Sequence, residues 1–378
     1  MTSAQIIVLA TPAFLALIGV ELAIGRARGR PGYRLHDALS SIGLGVMSQL
    51  TGVFTALATL GIYTWTFDRF ALLHPTPGAA STWLLALVGY DFLYYWHHRA
   101  GHRVALLWAA HVVHHQSEDY NLSTALRQTS TGWLVGWIFY LPLALAGVPP
   151  LVFAVVALID LLYQFWVHTE QVGGLGAFDR WFCAPSNHRV HHAVNDAYLD
   201  RNFGGVLLVW DRLFGTYAEE RAALPCVYGT RAPLRSWNPL RANLQVYGAL
   251  ARDSWRAERW RDKLFVWLKP PGWRPADVAA RWPHPPFALA AFERYDPPLS
   301  PRRQMLALAL FAALLAATLL FLWHADTLGA AGRIAAALAI GIGLCGVGWL
   351  SEGGATAAEA PAEARGAGRS AAPNAGQR

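Results

Sequence analysis

Charge is scarce in this chain. Only 15% of its 378 residues are Asp, Glu, Lys or Arg, while 54% are hydrophobic. Soluble domains carry about 25% charged residues, so the composition points to a membrane protein. Cysteine is sparser still. Cys183, Cys226 and Cys345 stand far apart, which excludes a CxxC metal knuckle and an even-numbered disulfide framework. No HExxH pattern occurs, which argues against an intramembrane zinc protease. No basic stretch precedes the first apolar run, and no small-residue cleavage site precedes Glu21. A signal peptide is therefore not expected.

The charge that is present is uneven. The net charge is +7, and 19 of the 31 Lys and Arg residues fall between Arg180 and Arg303. A basic stretch beside apolar spans fits a cytoplasmic surface facing anionic lipid. Nucleic acid is not expected as a partner.

The apolar runs divide the chain. Residues 6–24 read as a spanning helix, and Arg26, Arg28, Arg30 and Arg34 mark its cytoplasmic end. Residues 39–65 return the chain outward, and residues 81–96 bring it back. Residues 131–162 read as a deeply inserted helical hairpin with Gly147, Pro149 and Pro150 at its turn. Residues 181–301 form a basic cap. Within it, residues 255–267 suit either a helix in the membrane interface or an ordinary cap helix. Residues 305–323 and 334–350 make a last pair of spans, with His324, Asp326 and Thr327 at the outer turn. Residues 352–378, dominated by Ala, Gly, Pro and Glu, are expected to be a disordered cytoplasmic tail. The predicted fold is all-α: a polytopic membrane protein with a helical cytoplasmic cap carrying a histidine-lined di-metal site.

Histidine carries the chemistry. Of 14 histidines, nine fall in four clusters. His98 and His102 form HxxxH and share a helical face. His111, His114 and His115 form HxxHH, and the same pattern returns as His188, His191 and His192. His168 stands between them in QFWVHTE. Nine imidazoles are too many for one ion and suit two, and imidazole serves iron, zinc and copper alike. Structural zinc closes with four ligands and usually recruits cysteine, and no cysteine accompanies these clusters. His97 should point elsewhere than its neighbour His98. His36, His74, His284 and His324 have no partner at ligand spacing. Asp91, Glu118, Asp119, Asn121, Glu170, Asp196, Asp200 and Asn202 lie near the clusters. They are candidates to orient the rings, or are simply caps and surface residues. Glu118 and Asn121 are the candidates for a direct catalytic part.

The order HxxxH, HxxHH, HxxHH over residues 81–217 resembles the fatty acid hydroxylase and sterol desaturase superfamily. Three stretches look especially like its ether-lipid-cleaving branch: DFLYYWHHRAGHRVALLWAAHVVHHQSEDYNLSTALRQT, QFWVHTE and NHRVHHAVNDAYLDRNFGGVLLVWDRLFGTY. The resemblance implies two iron ions, O2 as co-substrate, an external electron donor and a membrane lipid substrate. In that branch the reductant is tetrahydrobiopterin. It also implies that His98, His102, His111, His114, His115, His188, His191 and His192 are iron ligands, with His168 a ninth. Other branches place a further histidine where this chain has Gln164. The expected divisions are N-terminal spans to residue 80, a catalytic core at 81–217, a basic cap at 218–304, a C-terminal pair of spans at 305–350 and a tail from 351. Hydroxylation of a lipid C–H bond, with ether cleavage of an alkylglycerol lipid, is the leading reading. A sterol or fatty-acyl desaturase or hydroxylase is the nearest alternative, and a non-catalytic metal-binding membrane protein is the alternative of another class.

Overall fold

The computed structural model describes residues 3–352, and they contain fifteen α-helices. In chain order these are α1 (Ser3–Ala27), α2 (Leu35–Phe70), α3 (Ala80–Arg103), α4 (Ala105–His115), α5 (Leu122–Ala125), α6 (Leu141–Leu145), α7 (Pro150–Trp166), α8 (Phe178–Trp181), α9 (Pro185–His192), α10 (Val209–Leu213), α11 (Pro239–Arg256), α12 (Trp260–Leu268), α13 (Ala276–Arg281), α14 (Pro301–His324) and α15 (Ala330–Ser351). Two isolated bridges are the only β pairing among the described residues.

Among the described residues, four helices are long and apolar enough to cross a membrane: α1, α2, α14 and α15. The chain is an integral membrane protein. Its spans enclose a core of Leu39, Val46, Leu50, Phe311, Ile340 and Leu344. Helix α2 has 36 residues, a length of about 54 Å against a hydrocarbon core of about 30 Å. Its first turns therefore project beyond the lipid. There it buries His36, Asp37, Ser40 and Ser41, which meet the histidine-bearing segments.

Two expectations need correction. Residues 81–96 do lie in a helix, but α3 is not among the four spans. Asp91 and a run of tyrosines and histidines leave it too polar, and it continues through Arg103. The segment at 131–162 is not a hairpin of two α-helical arms. Its first arm is 3-10 helix at Gly132–Leu134 and Gly136–Tyr140, followed by the short α6. Gly132 and Gly136 interrupt that arm, where α-helix is intrinsically weak. The turn does fall at Gly147 to Pro149, and α7 starts with Pro150 in its first turn. The arms pack Leu143, Val148, Val152 and Val156 against Tyr63, Ala86 and Tyr90.

The stretch at 255–267 splits in two. Trp255 lies in the last turn of α11 and Trp260 opens α12. Trp255, Trp260, Leu264 and Leu268 are exposed among Arg252, Arg256, Arg259 and Arg261. The first residue of the expected tail, Glu352, accepts hydrogen bonds from the Trp237 amide at 2.7 Å and the Ser236 hydroxyl at 2.5 Å. The rest of that tail lies outside the described residues.

Candidate metal centre

Three helices carry the histidine motifs. His98 and His102 lie on the last turns of α3, the first HxxHH closes α4, and the second closes α9. Helix α9 has Pro185 in its first turn, and Asn187 Oδ1 accepts a hydrogen bond from the Ala184 amide at 3.0 Å. That bond fixes the point where the chain enters the helix. His168 follows the C-terminus of α7. Gly45 brings α2 close to this assembly, because a Cβ there would lie 2.3 Å from the Leu126 carbonyl oxygen.

All nine motif histidines converge, and they form two groups. His98, His102, His111, His115 and His191 form one; His114, His168, His188 and His192 form the other. Within each group the nearest ring nitrogens lie within 4.8 Å of one another. Each HxxHH motif feeds both groups. Its i and i+4 members serve one and the remaining member serves the other. The His115 and His192 rings stack between the groups with centroids 4.3 Å apart.

The hydrogen bonds fix which nitrogen carries the proton. His98, His114, His168 and His191 each place Nδ1 against a backbone carbonyl, of Phe203, Arg127, Gln164 and Arg201, at 2.8, 3.0, 2.7 and 2.9 Å. A carbonyl only accepts, so each Nδ1 donates and each Nε2 of a neutral ring bears a bare lone pair. Those Nε2 atoms then face each other. His114 and His168 Nε2 are 3.1 Å apart, and both tautomers are fixed. The other Nε2 pairs lie at 3.0 to 3.2 Å. His102 Nε2 is buried with no hydrogen-bond partner at all.

Protonation does not relieve this. Burial, and then the neighbouring rings, hold His115, His191 and His192 well below the ordinary imidazole range. Burial lowers His114 to about 4. Converging neutral donors call for a cation, and the residues fit one in each group. A metal–nitrogen bond of about 2.1 Å gives nitrogen–nitrogen edges of about 3.0 Å at right angles and about 3.4 Å at tetrahedral angles. The observed edges match right angles, and five donors exceed the four of a closed structural zinc.

A loop in unusual conformation supports the first group. Asp200 and Asn202 have φ of 57° and 54°, the left-handed region that non-glycine residues rarely enter. The Asn202 side-chain Nδ2 donates to the Asn187 and Ala218 carbonyls at 3.0 and 2.8 Å, which holds the turn. The turn presents the Arg201 and Phe203 carbonyls to His191 and His98. Asp200 Oδ1 stands 3.5 Å from His102 Nδ1.

The other polar candidates go elsewhere. Glu118 accepts from the Tyr295 amide at 2.6 Å and approaches Arg34 at 3.7 Å. Asn121 caps α5 through the Ser123 amide and donates to the Gly32 carbonyl. Neither lines the cavity described below, and neither belongs to a histidine group. Their bonds hold the segment after α4 against the loop that leads into α2 and against Tyr295. Asp91 does not touch His98. It accepts from the Val206 and Leu207 amides and the Trp210 indole, anchoring the loop whose Phe203 carbonyl does. Asp119 and Asp196 pair with Arg34 and Arg231, and Glu170 accepts from the Tyr228 hydroxyl. His97 turns to Tyr140 and Phe139, away from the groups. Arg127 was not anticipated. It is fully buried, donates to the Val113 carbonyl at 2.7 Å, and offers its own carbonyl to His114.

A cavity of about 540 Å³ leads to the imidazoles, within the range of small-molecule sites. His98, His111, His114 and His168 line one part. Phe14 of α1 and Leu315 of α14 line another, so the cavity is bounded by membrane helices.

The fatty acid hydroxylase family pattern matches residues 83–216. The chain is 41% identical to human alkylglycerol monooxygenase over 267 residues, covering 70% of this chain and 59% of that protein. It is 37% identical to the Xenopus tropicalis alkylglycerol monooxygenase over 309 residues, covering 81% and 68%. An ornithine lipid hydroxylase of Rhizobium tropici is 28% identical over 142 residues, covering 35% and 41%. No solved structure matches. Similarity of this extent, with the histidine motifs inside it, supports one assignment: the chain belongs to the fatty acid hydroxylase family, within the sterol desaturase superfamily.

Proposed function

We propose that this chain is a membrane-bound di-iron oxygenase that uses O2 to hydroxylate a C–H bond of a lipid. The lipid we favour is an alkylglycerol ether lipid, whose ether bond breaks after hydroxylation. The observation that carries the reading is the pair of bare Nε2 atoms of His114 and His168, 3.1 Å apart with both tautomers fixed. We assign His98, His102, His111, His115 and His191 to one iron, and His114, His168, His188 and His192 to the other. Bound iron supplies the redox chemistry toward O2 and an unactivated C–H bond that no side chain provides.

The protein's own part is positional. The carbonyls of Phe203, Arg127, Gln164 and Arg201 fix the ring orientations. The cavity walls exclude water and align an apolar chain arriving from between the spans. We place the histidine end on the cytoplasmic side, where Arg26 sits in the last turn of α1, Arg28 and Arg30 follow it, and Arg302 and Arg303 open α14. Electrons come from an external donor, and tetrahydrobiopterin is the donor we nominate from the alkylglycerol enzymes' resemblance.

The test is purification in detergent, elemental analysis, and lipid mass spectrometry after anaerobic reduction and O2 addition. Alkylglycerol, sterol and acyl lipids are offered side by side, with and without tetrahydrobiopterin. The expected result is iron in both groups and an oxygenated or cleaved alkylglycerol. Iron-loaded protein that leaves every lipid unchanged with a working reductant overturns the proposal. Conversion of only the sterol or acyl lipid moves the substrate to the family's other branches.

A further inference from the structure

The first span is buried at only two places. Among the described residues of α1, Glu21 and Gly25 alone are buried, one turn apart on one face. Glu21 stands among Val20, Leu22 and Ala23. A carboxyl in an apolar span is costly unless partners satisfy it, and Glu21 has three. The Thr169 hydroxyl donates to Oε1, the Tyr33 hydroxyl donates to Oε2, and the Leu122 amide donates to Oε2 at 2.8 Å. Gly25 permits this approach. A Cβ there would lie 2.6 Å from the Arg30 carbonyl oxygen and 3.3 Å from Gln171 Nε2.

Two of the three donors belong to segments that support the second histidine group. Thr169 directly follows His168. The Gln164 carbonyl holds His168 Nδ1 from the other side at 2.7 Å, so this ring lies between two fixed points. Leu122 opens α5. Backbone bonds stiffen the segment beyond it, from Leu126 to Ser123 at 3.1 Å and from Arg127 to Thr124 at 3.0 Å. That segment ends at the Arg127 carbonyl, which accepts from His114 Nδ1 at 3.0 Å. One carboxyl therefore anchors the supports of both His114 and His168. The first group lacks this link. Its Phe203 and Arg201 carbonyls lie on the loop held by Asp211 and Asn202, to which Glu21 makes no bond.

We propose that Glu21 is a positioning residue for the second histidine group, setting the His114 and His168 rings for their metal ion from within the first span. The inference rests on a metal ion in each group, and not on the reaction proposed for them. It gives α1, whose Phe14 walls the cavity, a second task. A carboxylate only accepts, and its lone pairs suffice for three donors. Glutamine can keep the arrangement: its oxygen accepts from Leu122 and Tyr33, and its nitrogen donates to the Thr169 hydroxyl, which also accepts. Leucine leaves the Leu122 amide and both hydroxyls without this partner.

The experiment titrates the full-length protein in detergent with ferrous iron, without O2. Elemental analysis counts the ions, and Mössbauer spectra tell them apart, the signal lost in His188→Ala marking the second. Glu21→Leu should weaken the second ion about 10- to 100-fold and leave the first within about twofold of wild type. Glu21→Gln should restore the second ion to within about threefold. Thr169→Val removes only the hydroxyl beside His168, and it decides the matter where the leucine variant does not fold. It should weaken the second ion by about tenfold. Tyr33→Phe takes a donor from the same carboxyl without touching either segment, and both ions should bind as in wild type. Folded Glu21→Leu or Thr169→Val protein that binds both ions normally overturns the proposal, as does equal weakening of the two ions. A loss in Tyr33→Phe as large as in Glu21→Leu also overturns it, since docking of α1 alone would then account for the effect. Wild type that binds no iron overturns the metal assignment and the proposal with it, a failure visible before any variant is made.

Discussion

The two histidine groups are unequal, although the same two helices feed both. The first has five donors, a left-handed loop behind it, and Asp200 beside His102. The second has four donors and no carboxylate contact to its rings among the described residues. Its support comes from the Arg127 and Gln164 carbonyls, on segments packed into the protein. One donor fewer leaves the second ion with less to spare, and His168 and His114 both face the cavity. The first group can lose a ligand and still equal the second, which gives the comparison a measurable consequence.

The largest expected effect tests that consequence. His188→Ala reduces the second group to three donors, whereas His102→Ala leaves four in the first. Both should lower turnover by about a thousandfold or more, since paired ions act as one unit. Iron analysis should separate them: His188→Ala loses the second iron outright, and His102→Ala retains most of both. Equal iron loss in the two variants would break the comparison.

Acid is next. For the metal-free protein, His114 titrates near 4 in the fold against 6.5 for a free imidazole. Several neighbours are lowered in the same direction by burial. The unfolded chain therefore binds more protons than the fold between these limits, and stability falls as pH drops. Thermal unfolding of metal-free protein should show full stability above about pH 6.5 and progressive loss toward about pH 4. Iron-loaded protein should fall less steeply at the upper end of this window, because bound rings resist protonation. A flat profile for the metal-free form would mean that the rings are not buried as neutral donors.

A smaller effect isolates the first group. Asp211 accepts from the Phe203 and Gly204 amides at 2.8 and 2.7 Å and from the Thr216 hydroxyl at 2.7 Å. It so holds the carbonyl that orients His98. Asp211→Ala should weaken iron binding in the first group about 10- to 100-fold and spare the second. Equal weakening of both groups would show that the loop supports the whole cage.

The sequence carried the membership of the cage and missed its wiring. Eight histidines at i, i+3 and i+4 spacing can be counted, with His168 standing alone, and helical geometry says that the rings of each motif share a face. The partition into five and four depends on how α4 and α9 approach each other, which is a tertiary fact. Acids near the motifs were candidates to orient the rings, with caps and surface residues as the other reading. Backbone carbonyls do most of that work, and a carbonyl has no residue type to betray it. Glu118 and Asn121 follow His115 closely in sequence, but their side chains bond to the Tyr295 amide, the Ser123 amide and the Gly32 carbonyl. The apolar runs fixed the long spans but misjudged α3 and the first hairpin arm. Hydropathy says how much apolar surface a segment has, and not whether glycine tightens it into 3-10 turns.

Asp200 was one acid correctly placed beside a ring, and it offers the finest test of the asymmetry. Its contact with His102 Nδ1 is long, at 3.5 Å, and Arg103 competes for the same carboxylate at 3.5 Å. The hydrogen bond to His102 and the nearby Arg103 keep its pKa below the ordinary carboxylate value despite burial, so it is charged at neutral pH. A charged partner raises the donor strength of His102 toward a metal. Asp200→Asn removes the charge but keeps the shape, so the turn at φ 57° should survive, because asparagine tolerates that region as aspartate does. Iron affinity of the first group should fall by about tenfold or less, with no change in the second. A large loss, or one shared by both groups, would mean that the carboxylate holds the loop rather than the ring, and that the first group's extra donor is its only advantage.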